Sequence, residues 1–151
     1  MPVSALLKYF ANSSHAVSSI SVIEMLTSMD RSLVAGRACL LTGHVRIDRT
    51  FSLAQVRDGD TASWKSFFFK DKPRKMKISV CPVSGGWITV YSDYMYGTPV
   101  ARFQVPEGDG LHFITLEAPT QVRPEGLTTL RMRFSGPEDR DLFTIGSFVF
   151  E

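Results

Sequence analysis

The chain has 151 residues, the size of one ordinary domain, and a domain of that length buries roughly 70% of its unfolded surface, so no disulfide or metal staple is needed to complete a core. A composition of 44% hydrophobic and 21% charged residues is that of a globular protein, and a formal net charge of +2 is too small to imply nucleic-acid or membrane binding. Cys39 and Cys81 lie in apolar, strand-like runs and are expected as buried free thiols, with one disulfide left open; two cysteines make no disulfide framework.

Residues 1–16 form a segment of their own. Ser4 can cap a short helix over 4–11 whose Leu6, Leu7 and Phe10 cluster on one face. So short a helix is marginal alone and must dock on the body or on a partner. The apolar stretches are short, and Lys8 interrupts the one that would serve as a secretory core, so an intracellular, cytoplasmic chain is expected. The serine-rich opening, with no acidic residue before Glu24, would also suit a mitochondrial segment, although no arginine precedes Arg31. No apolar run reaches the ~18 residues that would span a bilayer.

From residue 17 to 151 the signals are those of strands, expected at 17–26, 37–47, 51–56, 64–69, 75–81, 87–91, 100–105, 111–117, 128–134 and 142–150. Met76, Ile78 and Val80 alternate with Lys75, Lys77 and Ser79; Ala101, Phe103 and Val105 alternate with Arg102 and Gln104; Leu130, Met132 and Phe134 alternate with Arg131 and Arg133. Turn residues such as Asp58-Gly59-Asp60, Ser84-Gly85-Gly86 and Gly97-Thr98-Pro99 separate the runs. Regular strands without helical spacers predict an all-β, antiparallel β-sandwich with a short N-terminal helix. In 142–150, alternation puts Phe143, Ile145 and Val149 on one side and Leu142, Phe148 and Phe150 on the other, which suggests a central strand buried on both faces.

Chemistry-bearing clusters are sparse. His15, His44 and His112 have no metal-ligand spacing, and no metal or cofactor is expected. Asp58 with Asp60, and Glu138-Asp139 with Asp141, sit in turns, where acids cap and solubilise, and no nucleophile–base motif accompanies them. The most basic stretch, Lys65 to Lys77 with Phe67, Phe68 and Phe69, mixes cations and aromatics, but the domain as a whole is not basic and nucleic acid is not expected as a partner. Tyr94, Met95 and Tyr96 form a cluster of large, partly apolar residues in a loop, the residue types enriched at interface cores.

The order and spacing of motifs over residues 58–151 resemble the family 6 carbohydrate-binding modules, β-sandwiches of the galactose-binding, jelly-roll type. The resemblance is carried by Asp58-Gly59-Asp60 followed by Trp64, by Gly85-Gly86-Trp87-Ile88-Thr89-Val90 with Asp93 and Gly97, and by Val105-Pro106 with Gly108 and Gly110. It implies a sugar ring held between two loop aromatics, with an Asn near the C-terminus bonding its hydroxyls. Trp64 stands at the first aromatic, Leu111 at the second, Thr144 at the Asn, and Gly146 and Ser147 where Asp and Trp usually follow. The family's calcium draws on acids near both ends of the domain; Glu24 stands near one and Gly146 near the other. Leu111 offers no flat π surface, so weak or absent affinity for simple oligosaccharides is expected.

Two function classes follow. The first is a non-catalytic structural or protein-interaction subunit of a larger intracellular assembly, with Leu6, Leu7, Phe10, Tyr94, Met95 and Tyr96 against a protein partner. The alternative is a carbohydrate-binding module or lectin that takes a glycan on Trp64, Tyr94, Tyr96 and Thr144.

Overall fold

Strand alternation and turn glycines dictate the architecture. The structure, a computed structural model, describes residues 33–151. The expected helix with Leu6, Leu7 and Phe10, and the strand expected at 17–26, lie outside these residues. The elements are β1 (Leu33–Val34), a 3-10 turn (Ala35–Arg37), β2 (Leu40–Thr42), β3 (Arg46–Ile47), β4 (Leu53–Val56), β5 (Thr61–Phe69), β6 (Lys75–Pro82), β7 (Gly86–Ser92), β8 (Ala101–Val105), β9 (Ile114–Pro119), β10 (Gly126–Ser135) and β11 (Phe143–Phe150).

They form two antiparallel sheets, one ordered β3-β4-β11-β6-β9 with β1 also on β11, the other β2-β5-β10-β7-β8. The sheets face each other as a β-sandwich. Met76, Ile78 and Val80 of the first sheet and Ile88, Val90, Leu130, Met132 and Phe134 of the second are fully buried between them. Each such side chain contributes roughly 1.5–3 kcal/mol through the apolar surface it removes from water.

Two β-bulges set which aromatics point inward. In β5, Thr128↔Phe67 and Leu130↔Trp64 are register partners, so Lys65 and Ser66 together oppose Thr129 alone. Ser66 takes the extra step with φ 58°, in the left-handed region. Plain alternation from Trp64 would turn Phe67 and Phe69 out; the added residue turns both in. In β11, Ile145 pairs with Val80 and Ser147 with Ser79, so Gly146 is the extra residue. Phe143, Ile145, Phe148 and Phe150 therefore all face the core. This corrects the two-sided burial expected for 142–150: the strand is central, but its aromatics share one face.

The two corrected faces meet. Trp64 lies edge-on to Phe148 at 5.0 Å, Phe67 contacts Phe148 and Phe150, and Phe69 meets Phe150 edge-on at 4.9 Å. Edge-to-face geometry adds about 0.5–1.5 kcal/mol per pair beyond burial.

The single strand expected at 37–47 is divided. At Gly43 (φ 94°) the chain leaves the second sheet and enters the first as β3. The buried Asp60 carboxylate fixes this crossing by accepting the N–H groups of His44 (3.1 Å), Val45 (2.9 Å) and Arg57 (3.0 Å). A Cβ on Gly43 would stand 1.8 Å from Asp60 Oδ1, so only glycine fits. The strand expected at 111–117 begins at Ile114, because Asp109 accepts the N–H groups of Leu111 and His112 and holds them in a turn.

Because Ser66 carries the bulge in a conformation that costs a non-glycine residue about 1–3 kcal/mol, Ser66→Gly is expected to be neutral or stabilising. Ser66→Val, β-branched at positive φ, is expected to destabilise by a similar amount. Urea unfolding midpoints at an unchanged m-value measure both.

Candidate functional site

The outward positions of the second sheet form a patterned surface. Antiparallel register aligns them in rows: Thr42, Thr61, Arg133, Thr89 and Arg102 across all five strands; Leu40, Ser63, Arg131 and Tyr91 beside it; Ser135, Trp87 and Gln104 beyond. The rows combine hydroxyls, aromatics and cations. The Arg102 guanidinium lies over the Trp87 ring, its Cζ 4.0 Å from the ring centroid.

The loop after β7 rises beside this face. Asp93, at φ 66°, is its anchor. Its N–H donates to the Thr129 carbonyl (2.8 Å), while its carboxylate accepts from the Thr128 hydroxyl (2.7 Å) and the Thr129 N–H (3.0 Å). Arg131 Nε donates to the Asp93 carbonyl at 2.6 Å, and Arg131 Nη1 reaches Ser63 Oγ at 3.4 Å. Met95 Sδ stands 4.0 Å from Arg133 Nη2, so the loop leans over the row that holds Arg133. Tyr94 and Tyr96 stack on each other, with centroids 5.4 Å apart and planes at 26°, and remain 65% and 72% exposed.

The glycan residues expected from the sequence do not converge. Trp64 is wholly buried against Phe148, so it cannot offer a ring face to a ligand; this corrects its assignment. Its indole N–H has no acceptor among the described residues. Thr144 lies on the first sheet, opposite Cys81 near the start of β7, whereas Tyr94 and Tyr96 follow the far end of β7 beside the second sheet. Leu111 is exposed, and the Phe113 ring lies against Gly146, so close that a Cβ there would be 3.0 Å from Phe113 Cε1. Tyr94, Met95 and Tyr96 do form one cluster, and Leu6, Leu7 and Phe10 lie outside the described residues.

Charge is divided unevenly between the two sheets. Three lysines of the basic run prominent in the sequence are paired: Lys75 with Glu117 (3.3 Å) and Glu151 (3.4 Å), Lys77 with Glu151 (3.1 Å), Lys72 with Glu125 (3.6 Å). Among the described residues Lys65, Arg102, Arg131 and Arg133 on the second sheet make no ion pair, and no carboxylate occupies an outward position of that sheet's strands. Sequence reading placed Arg102, Arg131 and Arg133 on the polar sides of their strands; what it lacked was the pairing that brings them onto one surface.

Elsewhere, His44, Arg57, Asp58, Glu138 and Asp139 border a shallow polar pocket, but Asp60 is committed to backbone N–H groups and Asp141 to Arg57 at 3.1 Å. Among the described residues no group of three or more His, Cys, Asp and Glu is placed to hold a metal, and Glu24 lies outside those residues. Both cysteines are free thiols, but Cys39 is exposed rather than buried as expected, while burial and then the Asp109 carboxylate push the buried Cys81 thiol up. No described helix is long and apolar enough to cross a membrane.

Comparison with known proteins identifies the fold. No protein-family model and no curated protein matches the sequence. Among solved structures, a β-1,3-glucan-binding family 6 carbohydrate-binding module from Bacillus halodurans superposes with a TM-score of 0.71 at 21% identity, over 82% of this chain and 96% of that one. A family 6 module from Clostridium cellulolyticum in complex with xylose gives 0.71 at 20% identity, over 82% and 98%. An arabinoxylan arabinofuranohydrolase from Bacillus subtilis gives 0.68 at 19% identity, over 81% of this chain but only 27% of the enzyme. The fold is that of the family 6 carbohydrate-binding modules.

Two outcomes follow. Trp64→Ala is expected to destabilise the fold by roughly 3–5 kcal/mol, as core aromatic truncations do, seen as a lowered urea midpoint. Hydrogen bonds from the Leu111 N–H, then from His112, lower the Asp109 pKa from 3.8 to about 2. A carboxyl lowered in the folded state stabilises the turn above its ordinary pKa, and that contribution is lost as pH falls through about 2. An NMR titration of the Asp109 carboxyl should inflect near 2, and move part of the way back in His112→Ala.

Proposed function

We propose that this chain is a non-catalytic glycan-binding module that takes its ligand on the outward face of the second sheet and the adjoining 93–97 loop. The observation that carries the reading is the exposed, mutually stacked Tyr94–Tyr96 pair, anchored through Asp93 beside a surface of hydroxyls, aromatics and arginines. Ring faces on a fixed backbone suit the apolar face of a sugar, and flanking Thr, Gln and Arg groups suit its hydroxyls. The similar modules that bind β-1,3-glucan or hold xylose support the class of ligand. The loop cleft implied by the resemblance is not where this chain concentrates its aromatics.

A second reading, a structural or protein-interaction subunit of an intracellular assembly, is favoured by the exposure of Leu111 (78%) and Phe113 (51%) on the other side of the domain. An apolar pair at a surface edge is a feature of protein contacts.

Glycan-array screening followed by calorimetry separates the readings. The paired substitution Tyr94→Ala with Tyr96→Ala is expected to weaken saccharide binding by about 1–3 kcal/mol, or roughly five- to 150-fold, while leaving the unfolding midpoint unchanged. Leu111→Ala is expected to leave saccharide binding intact. Loss of binding in Leu111→Ala with retention in the tyrosine variant would move the site to the other edge.

A further inference from the structure

Resting on the glycan reading, we infer that the saccharide bound by this face is anionic, bearing carboxylate or sulfate groups, rather than neutral. Four cations share the surface: Arg131 and Arg133 on β10, Arg102 on β8 and Lys65 on β5. Arg133 and Arg102 flank Thr89 from opposite sides, about 9–10 Å apart by strand spacing, and Arg131 is two residues from Arg133 on the same side of the strand, about 7 Å away. None has a carboxylate partner among the described residues, and none of the outward strand positions around them is acidic. On the first sheet's outer face, by contrast, Lys75 and Lys77 are paired with Glu117 and Glu151.

The aromatics point to the same ligand. Trp87 is the largest ring among the outward positions of this sheet, and its face is covered by Arg102 at 4.0 Å. A neutral pyranose stacking there would have to displace the guanidinium. With the guanidinium in place, Trp87 holds a cation over its ring, and the guanidinium keeps N–H donors for a carboxylate or sulfate. Arg131 is oriented in advance by Asp93 and Ser63, which use two of its five donors. Fixed guanidinium forks match planar or tetrahedral oxyanions better than neutral hydroxyls. A single-stranded nucleic acid is held by a row of rings on which successive bases stack; here the open ring faces are those of one tyrosine pair, and Trp87 is covered by a cation.

Calorimetry on the full chain tests this with four probes: a neutral β-glucan or xylan oligosaccharide, an oligogalacturonate, a heparin-derived sulfated oligosaccharide and a single-stranded DNA of matched charge. The oligogalacturonate or the sulfated oligosaccharide is expected to bind about tenfold or more tightly than the neutral one, with affinity falling as NaCl rises from about 50 to about 500 mM. Arg102→Gln with Arg133→Gln should lower that affinity about tenfold or more at unchanged circular dichroism, whereas Lys72→Gln, which removes one charge away from the face, should not. The better of the two acidic saccharides identifies whether carboxylate or sulfate is read. If the neutral oligosaccharide binds as tightly and the arginine variants are unaffected, the inference falls and the glycan reading stands. If no saccharide binds, or DNA binds in preference to all of them, both fall.

Discussion

The aromatic seam between β5 and β11 governs the rest of the molecule. Trp64, Phe67 and Phe69 meet Phe148 and Phe150 across the sandwich, and they do so only because each strand carries one extra residue, Ser66 in one and Gly146 in the other. Without those bulges the period-two alternation would divide each aromatic set between core and solvent. With them, every large ring of the two strands except Phe68 is inward. The phase of β5 then fixes the phase of β10 through seven paired positions, and β10 fixes β7 through six. The composition of the outer surface is thus a consequence of core packing: once Leu130 and Met132 face inward, Arg131 and Arg133 must face out.

Much of this was legible in the amino-acid sequence. The strict alternation of 75–80, 101–105 and 130–134 gave the inward sets of β6, β8 and β10 directly, and turn residues placed most strand ends. The two bulges were not legible, because one inserted residue leaves composition unchanged while reversing every side chain beyond it. That is why Trp64, a plausible sugar platform by position, proves to be core. The division of 37–47 was hidden for another reason: the cause is Asp60, a carboxylate remote in sequence that gathers three backbone N–H groups.

The candidate site shows the same boundary between local and long-range information. The tyrosine cluster is contiguous and stood out. The arginines are dispersed over β8 and β10, and their common surface exists only through strand pairing. The conspicuous run from Lys65 to Lys77 is partly offset by Glu117, Glu125 and Glu151, which pair with its lysines from some forty or more residues away. Local charge density was a poor guide to field; what matters is which cations lack a partner after folding.

Asp93 gives the loop that it anchors a degree of independence. Its three bonds to Thr128 and Thr129 hold the base of the loop to β10 without using any atom of Tyr94, Met95 or Tyr96, while Gly97, at φ 79°, is the one tip position that the backbone reserves for glycine. Residues at the tip can therefore change identity while the hinge and the sheet keep their shape. In evolutionary terms the proposed ligand contact and foldability fall on separate positions, so 94–96 can vary without passing through unstable intermediates, and a laboratory library confined to those three residues would vary the tip on a constant scaffold.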